Sequence, residues 1–339
     1  MAVIRDVIPV FELYQPTTVD DALALLERHT TDAWVLAGGL DSMDWLKDRL
    51  KKPKVVVDLT QVKPLNGIKE AAGGGLEIGA MTTLTEVVRH PIVREKYSLL
   101  MQAAELVASP QIRNQGTIGG NVSQDTRCWY YRGGWTCYRA GGNICYADTP
   151  TAINREHAIF DADRCVAVNP SDTAPALVAL DARMVIRGPR GERVINAEDY
   201  WIGPGIDITR MNVLAPNELL VAVRIPETMA GADFYFEKVR DRQVWDFPLV
   251  NVASAIKPDK GNGNIGEMRL VVNAVAATPK RLKNVEAAVV GKPRNEETAK
   301  MAGDLAVQGA QTLRFNGYKV PLMRNLVKRA IRGVPAATT

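Results

Sequence analysis

The sequence predicts an α+β protein with more than one domain, and three observations lead to this. The chain has 339 residues, of which 46% are hydrophobic, enough to build two or three cores. Helical periodicity alternates with short apolar strands in the first part of the chain. From about residue 234, three successive strand patterns are followed by helical patterns, which indicates a separate C-terminal α+β unit beginning near 226–232.

The N-terminal elements follow from capping and periodicity. Thr18 and Asp21 can form a capping box, and the apolar residues that follow recur on one face, which predicts a helix over 18–28. Further strands are predicted at 34–37, 55–59 and 76–80, and further helices at 44–51, 85–90 and 99–108.

The same periodicity arguments predict the helices and strands in the second half of the chain. A helix is predicted at 174–179 and a strand at 184–186. The C-terminal unit then comprises strands at 234–239, 252–256 and 268–276, and helices at 281–290, 296–308 and 322–332.

Composition excludes some classes of function. The formal net charge of +4 is small and evenly spread, so nucleic acid is not expected as a partner. No window is long and apolar enough for a membrane span. The N-terminal stretch lacks a basic segment followed by a continuous apolar run, so no signal peptide is predicted. A cytoplasmic protein is expected, with a periplasmic location only through export on a partner's signal.

Two glycine-rich segments are candidate phosphate-binding sites. VLAGGLDSMDWL at 35–46 places two glycines after a predicted strand, and RNQGTIGGNVSQD at 113–125 mixes three glycines with small hydrogen-bonding residues. Glycine lets backbone N–H groups approach a phosphate without a Cβ clash. Each segment alone is equally explained as an ordinary tight turn. Two such segments close together favour a dinucleotide, which has two phosphates.

All four cysteines of the chain lie between positions 128 and 165. Cys128, Cys137, Cys145 and Cys165 are separated by eight, seven and nineteen residues, whereas zinc sites usually contain a pair two to four residues apart. Four thiolates with wide loops between them suit a [4Fe–4S] cluster. The spacing alone leaves three interpretations open: a cluster, a structural zinc site, or inert or disulfide-bonded thiols. The aromatic residues around the cysteines either exclude water from a cluster or simply pack this segment.

No pattern for catalysis by side chains is found. Ser-His-Asp, paired-carboxylate and Walker patterns are absent, and the chain has three histidines. Ser171 and Asp172 precede a predicted helix as an N-cap, and the segment 234–255, which carries Lys238, reads as a charged strand edge. If the chain is a component of an enzyme, bound cofactors must therefore supply the chemistry.

The motifs as an ordered set point to a family. VLAGGLDS, LEIGAMTTLTEV, IRNQGTIGGNVSQD, PSDTAPALVALDA and EKVRDRQVWDFPLVNVASA, in this order, resemble the FAD-binding medium subunit of the xanthine dehydrogenase (molybdenum hydroxylase) family. The resemblance covers about 8–333. It implies a vanillyl-alcohol-oxidase/PCMH-type FAD-binding fold of two α+β subdomains, followed by a C-terminal α/β domain of the CO dehydrogenase flavoprotein type. The implied domains are 1–58, 59–227 and 228–335.

The resemblance also assigns FAD contacts. The segments 36–42 and 116–123 would cradle the pyrophosphate, Asp172 would hydrogen-bond the ribityl or adenine side, and Lys238 would lie near the isoalloxazine ring. Leu40 departs from the family pattern, which usually has threonine there, so it would bind through its backbone, with Ser42 as a candidate replacement hydroxyl. The full set is Leu36, Ala37, Gly38, Gly39, Leu40, Asp41, Ser42, Gly116, Thr117, Gly119, Gly120, Asn121, Ser123, Asp172 and Lys238.

The cysteines lie in an insertion at about 125–166 that most medium subunits lack. This insertion is similar to that of the 4-hydroxybenzoyl-CoA reductase type of β subunit, whose loop binds a [4Fe–4S] cluster. A similar loop occurs in the FAD subunit of some bacterial molybdenum aldehyde dehydrogenases. The resemblance therefore favours Cys128, Cys137, Cys145 and Cys165 as cluster ligands over the zinc interpretation.

The function that the resemblance implies is electron transfer by an oxidoreductase subunit carrying FAD and a [4Fe–4S] cluster. The implied partners are a large molybdenum-cofactor subunit and a small [2Fe–2S] subunit, with ferredoxin as a candidate external carrier. Arg127, Arg132 and Arg139 would either form a docking face for an acidic ferredoxin or stabilise the negative charge of the cluster. The alternatives are the FAD subunit of a molybdenum aldehyde dehydrogenase and, from another class, a zinc-stapled flavin-binding or interaction protein.

Overall fold

Residues 7–333 are described by the computed structural model. Residues 1–6 and 334–335 of the predicted domains lie outside the described residues, and the predicted boundaries at 58/59 and 227/228 stay predictions. The helices are α1 Val19–His29, α2 Ser42–Lys47, α3 Leu84–Arg89, α4 Pro91–Lys96, α5 Ser98–Glu105, α6 Pro110–Gln115, α7 Ile118–Ser123, α8 Trp129–Arg132, α9 Thr173–Ala179, α10 Lys283–Val289, α11 Glu296–Ala306 and α12 Lys319–Arg332. The strands are β1 Glu12–Tyr14, β2 Ala33–Leu36, β3 Val55–Asp58, β4 Ile68–Glu70, β5 Leu76–Gly79, β6 Arg183–Gly188, β7 Gly191–Asn196, β8 Leu219–Ile225, β9 Asp233–Val239, β10 Val250–Pro258, β11 Ile265–Asn273 and β12 Lys280–Arg281.

The first sheet is small and parallel, with strand order β1-β3-β2. Its central strand β3 is buried along its whole length, as expected for a parallel strand covered on both faces. The predicted helix at 18–28 is confirmed as α1, and the Thr18 hydroxyl accepts a hydrogen bond from the Asp21 backbone N–H at 3.1 Å. Strand β2 ends at Leu36, so the two glycines of the first glycine segment follow directly after this strand.

The second sheet is antiparallel, with strand order β4-β5-β8-β6-β7. Its middle strand β8 was not predicted from the sequence. Six of its seven residues are buried, and burial on both faces removes the alternation of apolar and polar residues by which a strand is recognised. Helices α3, α5 and α9 contribute buried residues to the same core as this sheet.

The predicted C-terminal α+β unit is confirmed as a four-stranded antiparallel sheet, with order β12-β11-β10-β9 and helices α10, α11 and α12. One face of the sheet packs against these helices. The other face contributes Phe236, Ala253 and Val271 to the core that contains α5 and α9. The C-terminal unit therefore helps to fix the elements that carry the candidate site. No helix within 7–333 is both long and apolar enough to cross a membrane.

The insertion at 125–166 forms the short helix α8 and two 3-10 helices, Tyr138–Ala140 and Tyr146–Asp148, with irregular backbone between them. It is bound to the C-terminal unit through backbone carbonyls. Asn316 donates from its Nδ2 to the carbonyls of His157, at 3.1 Å, and Ala158, at 3.0 Å. The fully buried Lys319 donates from its Nζ to the Glu156 carbonyl at 2.8 Å and to the Ala274 carbonyl at 2.7 Å. These polar side chains replace the regular secondary structure that the insertion lacks.

Lys319 predicts a pH-dependent contribution to stability. Burial lowers the pKa of Lys319 from 10.5 to about 7. Between these values the unfolded chain binds more protons than the folded chain, so raising the pH favours the folded state. In urea unfolding from about pH 7 to about pH 10, we expect wild type to gain stability relative to Lys319→Met. Identical slopes for the two proteins would contradict this assignment.

Candidate functional site

The two glycine segments meet at one end of the first sheet. The Gln115 side chain donates from Nε2 to the Gly38 carbonyl at 2.8 Å. A Cβ atom on Gly38 would fall within 3.0 Å of the Gln115 carbonyl oxygen, closer than real Cβ contacts allow. Only glycine therefore lets the two backbones approach each other at this point.

A cavity of about 420 Å³, here called the main cavity, opens beside this junction. Its volume lies in the range of small-molecule binding pockets. Of the residues assigned to FAD from the sequence, Leu36 and Lys238 do not line it. The lining includes Ala37, Gly38, Gly39, Leu40, Asp41, Ser42, Gly116, Thr117, Gly119, Gly120, Asn121, Ser123 and Asp172. The fold thus brings residues from distant parts of the sequence to one cavity.

The second glycine segment is not a loop throughout, which corrects the sequence prediction. Helices α6 and α7 occupy most of it, leaving a break at Gly116 and Thr117. The Thr117 hydroxyl accepts a hydrogen bond from the Gly120 N–H at 3.0 Å and so caps α7. A Cβ on Gly119 would lie 2.7 Å from the Ala80 carbonyl oxygen. Gly119 therefore serves close packing of α7 against the end of β5.

Asp172 and Lys238 form a buried ion pair beside the main cavity. The Lys238 Nζ lies 2.6 Å from Asp172 Oδ2 and 3.0 Å from the Leu106 carbonyl, and Asn251 donates to Asp172 Oδ1 at 3.1 Å. Burial raises the pKa of Asp172 and lowers the pKa of Lys238, because both charges are removed from water, while their mutual attraction opposes both shifts. The pair therefore holds the Asp172 carboxylate in one position in the wall of the main cavity.

This pair corrects two sequence interpretations. Asp172 stands at the N-cap position of α9, but its side chain makes no capping hydrogen bond. The Ser171 hydroxyl instead accepts from the Ala174 N–H at 3.2 Å. Lys238 belongs to β9, yet it is buried rather than part of an exposed charged strand edge. Its proximity to an isoalloxazine ring stays a prediction.

Asp41 joins the first glycine segment to the insertion. Its Oδ1 lies 2.9 Å from the Arg127 guanidinium and 2.6 Å from the Arg132 guanidinium. The Arg132 guanidinium also lies 3.5 Å above the centre of the Trp45 ring. A charge-assisted contact of this kind fixes the direction in which the insertion leaves the main cavity.

The three arginines of the insertion do not form an exposed face, which disfavours docking, one of the two roles that the sequence left open for them. The side chains of Arg139 and Arg132 are only 3% and 14% exposed. Arg127 pairs with the same Asp41 carboxylate that Arg132 binds. Arg139 pairs with Asp125 at 2.6 Å and lines the cavity that contains the cysteines. Its position agrees with the other interpretation, a positive charge beside the four thiols.

The four cysteines converge on one small cavity, here called the cysteine cavity. It is lined by Cys128, Tyr130, Tyr131, Cys137, Arg139, Cys145, Tyr146, Ala147, Cys165, Val166 and Ala167. All four cysteines are free, and burial raises the pKa of the Cys128 thiol to about 11. Within 7–333, no three histidine, cysteine or acidic side chains are grouped so as to hold a metal ion. The four cysteines thus share one cavity, with three tyrosines in its wall, but are not arranged as a preformed metal site.

Part of the main cavity was not anticipated from the sequence. Two segments contribute much of this additional lining, which includes Asn212, Leu214, Ala215, Pro216, Glu218, Leu219, Leu220, Trp245 and Phe247. The apolar run VWDFP, within an otherwise charged stretch, was a signal for the second segment. The 212–220 segment carried no signal, since its role depends on the path of β8 through the sheet.

Comparisons with known proteins agree with this geometry. A family model described as the FAD binding domain in molybdopterin dehydrogenase matches 9–228, and one described as the CO dehydrogenase flavoprotein C-terminal domain matches 234–334. The carbon monoxide dehydrogenase medium chain of Hydrogenophaga pseudoflava is 29% identical, over 95% of this chain and 96% of that protein.

Two further matches are informative. The FAD-binding subunit of the Escherichia coli aldehyde oxidoreductase is 34% identical, over 81% of this chain and 84% of that protein. A solved structure of carbon monoxide dehydrogenase from Hydrogenophaga pseudoflava superposes with a TM-score of 0.76 at 28% identity, covering 96% of this chain and 98% of that one. The first family model alone spans well over half of the sequence. The chain therefore belongs to the family of FAD-binding medium subunits of the molybdenum hydroxylases, binds FAD, and is an oxidoreductase subunit.

Proposed function

We propose that this chain carries FAD in the main cavity and a [4Fe–4S] cluster in the cysteine cavity, and relays electrons within a molybdenum hydroxylase complex. The partners we propose are a large molybdenum-cofactor subunit and a small [2Fe–2S] subunit. FAD supplies the ability to exchange electrons in pairs or singly. The observation that supports the proposal best is that one stretch of chain reaches both cavities: Arg127 lines the main cavity and the next residue, Cys128, lines the cysteine cavity.

The main cavity has the features that FAD binding requires. Gly38 and Gly39 line it without a bulky side chain in the way of a phosphate, and Thr117, Asn121 and Ser123 add short polar side chains nearby. Asp172 offers a carboxylate that Lys238 and Asn251 hold in one orientation. The remaining wall is mostly apolar, which suits a flavin ring.

The cysteine cavity offers the donor set that a cluster would use. Cys128, Cys137, Cys145 and Cys165 are four thiols around a single space, which is the ligand set of a [4Fe–4S] cluster. Arg139 would offset the negative charge of four thiolates, since it faces the same space. The tyrosines in the wall would limit access of water, which tunes the reduction potential.

Two types of complex are candidates for the substrate chemistry. The 34% identity to an aldehyde oxidoreductase subunit favours an aldehyde-oxidising complex, in which electrons leave through this chain. The resemblance of the insertion to the 4-hydroxybenzoyl-CoA reductase type favours the opposite direction, from a carrier such as ferredoxin to molybdenum. Reconstitution with the partner subunits, assayed with an aromatic aldehyde and with 4-hydroxybenzoyl-CoA, separates the two.

Cofactor content tests the proposal directly. The full-length chain, purified without oxygen, is expected to contain about one FAD and about four iron and four sulfide. The Cys137→Ser variant is expected to lose most of the iron and keep its FAD, because the two cavities are separate. One zinc per chain, or FAD without iron, would contradict the cluster. Iron without FAD would contradict the assignment of the main cavity.

A further inference from the structure

The Asn121 side chain, on α7, lies in the wall of the main cavity, and the two ends of its amide have different surroundings. Its Oδ1 accepts hydrogen bonds from two hydroxyls, that of Ser171 at 2.7 Å and that of Thr173 at 2.6 Å. Its Nδ2 has no hydrogen-bond partner among the described residues and is not one of their buried unpaired atoms. The free end of the amide is therefore accessible to a ligand in the cavity.

The orientation of this amide follows from the protons that the two hydroxyls must place. Ser171 and Thr173 are 1% and 0% exposed, so each hydroxyl needs an acceptor inside the protein. Asn121 Oδ1 accepts both protons. With the amide reversed, one hydroxyl could donate to the other across 3.3 Å, but the second proton would have no acceptor within 7–333. The amide therefore presents its Nδ2, a donor group, to the cavity.

The Ser171 residue is itself fixed from three directions. Its backbone N–H donates to Asn169 Oδ1 at 3.0 Å, its hydroxyl accepts from the Ala174 N–H at 3.2 Å, and its carbonyl accepts from Asn273 Nδ2 at 2.8 Å. Asn273 is the last residue of β11, so the C-terminal sheet takes part in holding this hydroxyl. A donor that is held in place before the ligand arrives loses little conformational entropy on binding.

The position of Asn121 favours an anionic oxygen as the acceptor. Asn121 follows Gly120, and a Cβ on Gly120 would lie 3.7 Å from the Ala37 Cβ in the first glycine segment. The amide thus lies close to the junction of the two glycine segments, where a pyrophosphate is expected. A hydrogen bond from an N–H group to a charged oxygen is stronger than one to a neutral oxygen.

We propose that Ser171 and Thr173 are positioning residues for FAD, which orient the Asn121 amide so that its Nδ2 donates to a pyrophosphate oxygen; this rests on the proposed function of the main cavity. Neither Ser171 nor Thr173 lines the main cavity. Their effect on FAD therefore passes through Asn121, and it depends on their hydroxyl groups rather than on their shape.

Titration of the apoprotein with FAD, followed by flavin fluorescence, tests the role of the hydroxyl. The proteins compared are wild type, Thr173→Val, which keeps a branched side chain without the hydroxyl, and Thr173→Ser, which keeps the hydroxyl. Thr82→Val is the matched control. Thr82 is also buried, and its hydroxyl donates to the Gly67 carbonyl at 3.0 Å without lining the main cavity.

Thr173→Val is expected to bind FAD about tenfold more weakly, whereas Thr173→Ser and Thr82→Val should bind it as wild type does. Asn121→Asp should bind FAD more weakly than Asn121→Ala, because its second carboxylate oxygen would face the phosphates. In phosphorus NMR of the FAD-loaded protein, Thr173→Val should shift a pyrophosphate resonance and leave the visible flavin spectrum unchanged.

Three results would overturn the proposal: equal weakening in Thr173→Val and Thr173→Ser, equal affinity in Asn121→Asp and Asn121→Ala, or a change confined to the flavin spectrum. The FAD content of wild type is measured first. A wild-type protein that binds no FAD contradicts the proposed function itself, whereas normal binding by wild type with any of these three results contradicts only the role of the two hydroxyls.

Discussion

Replacing Asp172 with alanine is expected to lower the free energy of unfolding by about 3–5 kcal/mol and to abolish retention of FAD. The substitution leaves the Lys238 ammonium buried without its counter-charge, and removes the acceptor for the Asn251 amide. An uncompensated buried charge is among the costliest defects in a folded chain. Denaturant unfolding and the FAD content of the purified protein measure the two effects.

A double variant separates the effect of charge from the effect of side-chain shape. In Asp172→Asn combined with Lys238→Met, both charges are removed while the side-chain volumes are largely kept. We expect this double variant to regain most of the stability lost in Asp172→Ala, because no unpaired charge remains. It should still bind FAD poorly, since the cavity wall lacks the carboxylate. An Asp172→Ala protein as stable as wild type would show that the pair is not buried in solution.

Replacing Gly38 with alanine is expected to raise the dissociation constant for FAD at least about tenfold and to destabilise the fold by about 1–3 kcal/mol. The new Cβ would press on the Gln115 backbone, so the two glycine segments must move apart. This movement changes the width of the main cavity at the first glycine segment, where backbone N–H groups are expected to contact a phosphate. Fluorescence titration of the apoprotein with FAD measures the affinity.

Gly317→Ala is the control for this experiment. Gly317 precedes α12, lies outside the main cavity, and a Cβ there meets nothing within 4 Å. Any general effect of exchanging glycine for alanine should appear equally in this variant. If Gly38→Ala binds FAD like Gly317→Ala, the junction of the two segments plays no part in cofactor binding.

Much of the local structure could be predicted from local signals. The capping residues Thr18 and Asp21 and the apolar face after them gave α1, and the three strand patterns from residue 234 gave the C-terminal unit. The family followed from ordered motifs rather than from any single residue, because each glycine segment alone fits an ordinary turn. The four cysteines stood out by their confinement to 128–165.

Other features depended on contacts that no local pattern records. Strand β8 was missed because it is buried on both faces. Lys238 was interpreted as a charged residue at a strand edge, because the sequence does not show that it pairs with Asp172, 66 positions earlier in the chain. The sequence left two roles open for the three arginines of the insertion, a docking face or charge compensation near the cysteines, and only the structure shows that Asp41 and Asp125 pair with them internally.

The sequence by itself determined the α+β class, the family and the grouping of the four cysteines, because these are carried by residue type, order and spacing. Only the tertiary structure decided which charges are paired, that Gly38 must be glycine to let two segments meet, and which distant segments line the main cavity. The physical reason is that ion pairs, backbone approach and cavity walls join residues far apart in the chain. Their energies depend on burial and distance, and neither exists until the chain has folded.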